Sequence, residues 1–176
     1  LQFKMNPKGY LIFHLNLAFS SIEEEARTDV IKKCYYPLLE LVKQTGIPIG
    51  LELTGWTLKQ IVSIDPEWVE ILKSLLKAGK CELIGSGYSQ IIGPIVPYQV
   101  NKWNQELGIQ EYRRHLNIKP NIVLVNELAY SNGLVDLYAK YGYEGFIVDR
   151  DNVRLALELD AGPIDLVPTH ALGLGD

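Results

Sequence analysis

The sequence predicts an α/β protein built on a parallel sheet. Short β-branched and aliphatic runs alternate with segments of helical period. The runs lack the in/out alternation of a half-exposed strand, and the loops between them are short and rich in Gly, Pro and Asp. Strand, helix, strand, helix in that order calls for right-handed crossovers, with helices covering the sheet. A complete (β/α) barrel needs at least ~200 residues. The 176 residues here are therefore expected to form a single domain, residues 1–176, that is only part of a barrel if the sheet curls.

Tyr10 to Leu17 reads as the first strand, apolar except for His14 and Asn16, which share one face. Ser20 and Ser21 offer an N-cap, Glu23, Glu24 and Glu25 suit the positive end of a helix, and Val30, Cys34, Leu38 and Leu41 recur at helical spacing. Pro37 is expected to kink or split that helix, and Gly46 to stop it. Ile47 to Leu53 is the second strand, and Gly55-Trp56 turns into a short helix around Leu58 to Ile64.

Asp65-Pro66-Glu67 is a strong helix start, with a capping Asp, a proline at the first helical position and an acid in the first turn. Trp68, Ile71, Leu72, Leu75 and Leu76 then form one apolar stripe that ends at Gly79. Cys81 to Ile84 is the third strand, opening into Gly85-Ser86-Gly87-Tyr88-Ser89-Gln90 and an irregular stretch to Pro97. Val100, Trp103 and Leu107 mark the next helix, to about Leu116. A strand from Ile122 follows, then a helix marked by Leu134, Leu137 and Tyr138 and ending at Gly142. Phe146 to Val148 is the fifth strand, and Asp165 to Thr169 is the candidate for a sixth.

Composition narrows the function classes. Hydrophobic residues at 47% and charged residues at 22% describe an ordinary globular chain, and a formal charge of -4 with scattered Lys and Arg gives no reason to expect nucleic acid. No apolar run reaches bilayer length, so no membrane partner is expected. Cys34 and Cys81 read as small buried hydrophobes rather than a disulfide framework. His14, His115 and His170 lack ligand spacing, so neither a metal nor a cofactor is expected. With no signal segment the location leans cytoplasmic, and a start at Leu1 rather than Met suggests that the native chain begins earlier.

In parallel α/β proteins ligands bind beyond the carboxyl ends of the strands. Those ends here deliver His14 and Asn16, Glu52 and Trp56, Tyr88 and Gln90, Asn126 and Glu127, and Asp149 and Asp151. Singly, each has a bland reading: His14 as a core histidine, Trp56 as a packing aromatic, Glu127 as a helix cap or the partner of a nearby Arg, Asp149 and Asp151 as helix caps. Together they describe a rim suited to sugars. Trp56 and Tyr88 can cover the apolar face of a pyranose, while Asn16, Gln90 and Asn126 can hold hydroxyls. A carboxylate such as Glu127 can attack an anomeric carbon.

These residues resemble glycoside hydrolase family 57, the α-glucan-acting amylases and 4-α-glucanotransferases, from about Tyr10 to Val153. Phe13-His14-Leu15-Asn16-Leu17-Ala18 stands where that family has a strand ending His-X-His-Gln-Pro; His14 is kept and the rest differ. Gly87-Tyr88-Ser89-Gln90-Ile91 is similar to a Gly-Phe-Tyr-Glu-Pro loop, with Gln90 where Glu is common. Val123-Leu124-Val125-Asn126-Glu127-Leu128-Ala129-Tyr130 resembles the strand of the nucleophile, which maps to Glu127, and Gly145-Phe146-Ile147-Val148-Asp149-Arg150-Asp151 is similar to the strand after it.

The resemblance implies a seven-stranded parallel (β/α) barrel of the glycoside hydrolase/deacetylase type, present here as its N-terminal five or six strands. It implies a retaining α-glycoside hydrolase or glucanotransferase with two carboxylates about 5 to 5.5 Å apart. Glu127 would be the nucleophile, and His14, Asn16, Trp56, Tyr88, Gln90, Asn126 and Asp149 would line the sugar subsite. The acid/base Asp is expected beyond Asp176, so that this portion alone would be inactive. An α-glucan or oligosaccharide is the expected partner, and unpaired sheet edges make self-association a further expectation. Two alternatives stand beside this: a non-catalytic carbohydrate-binding relative, and a polysaccharide deacetylase-like domain. The latter wants an Asp ending the first strand and two histidines four apart, and the sequence has neither.

Overall fold

The computed structural model describes residues 9–149, 151 and 152. Five strands form one sheet in the order β1-β2-β3-β4-β5, all parallel. They are β1 (Ile12–Leu15), β2 (Ile49–Leu53), β3 (Cys81–Gly85), β4 (Ile122–Leu124) and β5 (Gly145–Ile147). The α/β parallel architecture is thus as the alternating pattern requires. The proposed sixth strand, Asp165 to Thr169, lies outside the described residues, as do Arg150 and His170.

β2 is buried along its whole length, which is why its sequence reads as an unbroken apolar run save for Glu52. The main core packs Leu15, Leu51, Leu53 and Leu83 of the sheet against Leu39, Ile61, Trp68 and Leu72 of the covering helices. A smaller cluster of Ile109, Val123, Val125, Leu134, Leu137 and Tyr138 sits under β4 and β5. Burying a Leu or Trp side chain contributes about 1.5–3 kcal/mol, so these two clusters supply the main drive to fold.

The first crossover departs from its predicted face. A 3-10 turn (Glu24–Ala26) leads into α1 (Arg27–Val30), a π-helical turn (Ile31–Tyr35) and α2 (Tyr36–Thr45). The inward residues are Ile31, Tyr35, Leu39 and Val42, each one position beyond the predicted stripe, while Leu41 is exposed. Neither Ser20 nor Ser21 caps this helix; Glu23 occupies that position without a side-chain hydrogen bond. Cys34 is exposed rather than buried, and Cys81 is buried as expected. The π turn relieves the conflict around Pro37, which falls in the first turn of α2 and so removes no needed N–H. Gly46, at φ 70°, ends α2 in the left-handed conformation that glycine favours.

α3 (Gly55–Ile64) and α4 (Pro66–Lys77) start on side-chain caps. Thr54 Oγ1 accepts from Thr57 N at 3.1 Å, and Asp65 Oδ1 accepts from Trp68 N at 3.2 Å. α5 (Tyr98–Leu116) reverses the sequence expectation. Trp103 and Leu107 face solvent, while Asn101, Asn104, Gln105, Gly108, Ile109 and Tyr112 turn inward. α6 (Asn132–Lys140) buries Leu134, Leu137 and Tyr138, as its spacing predicts. Among the described residues no helix is long and apolar enough to cross a membrane.

Candidate active site

The carboxyl ends of β1, β2 and β3 meet at a small cleft of about 150 Å³, lined by Asn16, Ala18, Thr54, Trp56, Ser89 and Gln90. It is smaller than the roughly 300 Å³ at which ligand pockets commonly begin, so it has room for no more than part of a ligand. A larger hollow of about 400 Å³ lies between α5 and α6 beside Glu106, Arg113, Lys140 and Tyr141. None of the strand-end residues lines it, so its size does not make it the seat of the chemistry.

Polar side chains on the rim are joined. Asn16 Nδ2 donates to Gln90 Oε1 at 2.8 Å, and Gln90 Nε2 lies 2.9 Å from His14 Nε2. The other ring nitrogen of His14, Nδ1, is bonded to Oε2 of Glu52. Parallel pairing sets this up, because His14 of β1 stands in register with Glu52 of β2. The Glu52 carboxylate is fully buried, while about half of the His14 ring reaches solvent. The hydrogen bond to Glu52 holds the His14 pKa above its ordinary value; burial opposes this, and the charges of Glu52 and Glu127 add to it.

Trp56 lines the cleft with one face engaged: the Arg27 guanidinium carbon lies 5.1 Å from its ring centroid. Tyr88 is half-buried, held through its backbone. Trp56 N donates to Tyr88 O at 2.9 Å, and Tyr88 N donates to Asn104 O at 2.8 Å.

Glu127 lies just past β4 in a 3-10 turn (Asn126–Leu128), exposed, and its charge acts on the His14 ring. It joins none of the ion pairs among the described residues. Its backbone is in the left-handed region, φ 54°, as is that of Leu128, φ 53°. Side chains there cost about 1–2 kcal/mol per residue, and such strain concentrates at functional sites.

Two further predicted residues sit apart from the cleft. Asn126 is buried and turned inward: it accepts from Ser86 Oγ at 2.8 Å and donates to Ser86 O at 3.2 Å and Ser89 O at 3.4 Å. Asp149 is exposed, and its Oδ1 accepts from Asp151 N at 2.8 Å, closing a turn after β5. Among the described residues no group of three His, Cys, Asp or Glu side chains is placed to hold a metal ion.

Sequence reasoning missed the residues that hold the rim up. Asn104 accepts from Tyr88 N at 3.1 Å and Ser89 N at 2.8 Å, and donates to Ser89 O at 3.0 Å. Tyr112, fully buried, donates to Leu53 O at 2.6 Å and accepts from Ser86 N at 3.1 Å, tying the ends of β2 and β3 together. Asn101, Asn104, Gln105, Gly108 and Tyr112 recur at helical spacing, a signal present in the sequence but masked by the apolar stripe on the opposite side.

The chain is similar to known proteins in sequence and in fold. An α-amylase from Pyrococcus furiosus is 24% identical over 132 residues, covering 74% of this chain and 20% of that protein. The 4-alpha-glucanotransferase crystal structure from Thermococcus litoralis superimposes with a TM-score of 0.69 at 21% identity, over 80% of this chain and 22% of that one. The α-amylase structure from Thermotoga maritima gives 0.67 at 17% identity, over 82% and 40%. The chain thus spans about a fifth of the length of the sequence relatives it matches, and its five strands correspond to part of their barrels. The sequence profile of Glycosyl hydrolase family 57 matches residues 9–167, and the chain belongs to that family.

Proposed function

We propose that the protein acts on α-linked glucans as a retaining glycoside hydrolase or glucanotransferase, with Glu127 as the nucleophile. Family membership supports the reaction class, and the named activities of relatives, α-amylase and 4-alpha-glucanotransferase, support the substrate. The observation that carries the assignment is Glu127 itself: a carboxylate that joins no ion pair among the described residues, held at φ 54° on the rim near His14.

In the first step a Glu127 oxygen attacks the anomeric carbon, while the glycosidic C–O bond breaks and a second carboxylic acid protonates the leaving oxygen. Water or an acceptor hydroxyl then attacks the glycosyl ester, and the second carboxylate takes its proton. That second group is proposed to be an Asp later in the barrel than the described residues. Asn16, Gln90 and the exposed part of Trp56 hold the sugar, and His14 holds the Gln90 amide in place. Asn126 supports the turn that carries Glu127.

Glu127→Gln in the intact protein tests this. Turnover of a maltooligosaccharide is expected to fall on the order of 10³-fold or more, with binding retained. Unchanged turnover would remove Glu127 from the role. A non-catalytic glucan-binding protein is the second reading, favoured by Gln90, whose amide can hold a hydroxyl but cannot exchange a proton at neutral pH. Saturable binding with no turnover by the unaltered protein would select it.

A further inference from the structure

The rim hydrogen bonds run in one direction. The N–H of Ala18 can only donate, and it donates to Asn16 Oδ1 at 2.9 Å. That leaves the Asn16 amide nitrogen to donate to Gln90 Oε1, and the Gln90 nitrogen to donate to His14 Nε2. A ring nitrogen that accepts carries no proton, so the proton of neutral His14 is on Nδ1, which donates to Glu52. Every link is fixed by its neighbours, from a backbone N–H at one end to a buried carboxylate at the other.

We propose that Glu52 is a positioning residue: by taking the Nδ1 proton of His14 it sets the polarity of the chain Ala18–Asn16–Gln90–His14–Glu52, and thereby which atoms of the Gln90 and Asn16 amides are left free for the cleft. Among the described residues one N–H of Gln90 and one of Asn16 make no further hydrogen bond, and both residues line the cleft. Their orientation is what distinguishes a donor from an acceptor for a sugar hydroxyl. Nothing in the sequence marks Glu52 for this; it would pass for a polar residue at a strand end.

Protonation of His14 works against the chain. A proton on Nε2 would face the Gln90 nitrogen, so Gln90 would have to turn over and Asn16 after it, bringing the Asn16 nitrogen against the Ala18 N–H with no acceptor between them. The groups that bear on the ring charge are Glu52 beneath it and Glu127 across the rim, while the hydroxyls of Tyr35 and Tyr112 stand near Glu52. Glu52 favours the charged ring, and the amide chain favours the neutral one.

The functional half of this inference rests on the glucan reading; the hydrogen-bond polarity does not. Nitrogen-15 NMR of the intact protein, across the His14 titration, tests the polarity directly. Above that titration the expected spectrum has a protonated Nδ1 and an unprotonated Nε2; the opposite tautomer overturns the proposal without any variant. Gln90→Glu supplies only acceptors, so Nε2 should gain a proton at the same pH and the His14 titration should move up by about one pH unit or more. Glu52→Gln should move it down and raise KM for a maltooligosaccharide about tenfold, with kcat changed much less. An unmoved titration or an unmoved KM in a folded Glu52→Gln protein counts against Glu52. Should the predicted tautomer appear in a protein that neither binds nor turns over glucans, the polarity stands and the glucan reading falls.

Discussion

Gly108 of α5 stands directly against Gly87 in the loop after β3: a Cβ on Gly108 would fall 2.4 Å from the Gly87 carbonyl carbon. Gly87 itself has φ 81°, and a Cβ there would meet Asn104 Nδ2 at 2.3 Å. The two glycines let a helix touch the loop that carries Tyr88 and Gln90. Gly108→Ala is therefore expected to destabilise the protein by about 1–3 kcal/mol and to displace that loop, read as a lowered unfolding midpoint together with weaker glucan binding.

Tyr112→Phe removes a hydroxyl that serves the Leu53 carbonyl and the Ser86 N–H at once. Both groups are buried, so the expected loss is about 1–3 kcal/mol, measured by urea unfolding. A loss near zero would mean that water replaces the hydroxyl.

His14 gives stability a pH dependence of known sign. Its folded pKa is raised, chiefly by the hydrogen bond to Glu52, so the folded state favours the charged ring. The resulting stabilisation is complete below the unfolded value of about 6.5 and is lost as pH rises through the raised folded value. His14→Gln is expected to flatten the stability profile across that window. A profile of identical shape in the two proteins would show that the ring does not titrate with folding.

Glu127→Asn should stabilise the fold while abolishing turnover. Asn tolerates the left-handed region better than Glu, so relief of strain at φ 54° is expected to raise stability by up to about 1 kcal/mol. A lower midpoint in thermal unfolding would show that the Glu127 side chain is itself holding the turn.

The alternation of elements was legible because each crossover carries its own punctuation. Asp65-Pro66-Glu67 starts α4 where its chemistry says, and Gly46 ends α2. Side-chain facing was less legible. The buried residues Ile31, Tyr35, Leu39 and Val42 have the same spacing as the stripe one position earlier, so periodicity alone does not choose between the two sets. α5 misleads more deeply, because its inward face satisfies the backbone of the β3 loop and is therefore polar. The rim residues His14, Asn16, Trp56 and Gln90 could be found from strand ends alone. The inward turn of Asn126 could not, since it depends on Ser86, forty positions earlier in the chain.

The sheet lists its strands in the order in which they are synthesised. Each new strand can join an edge that already exists, so no earlier strand has to be prised apart to admit a later one. The His14–Glu52 pair can thus assemble while the ribosome is still making β3, and the turn bearing Glu127 arrives after it, onto a surface already shaped to receive it.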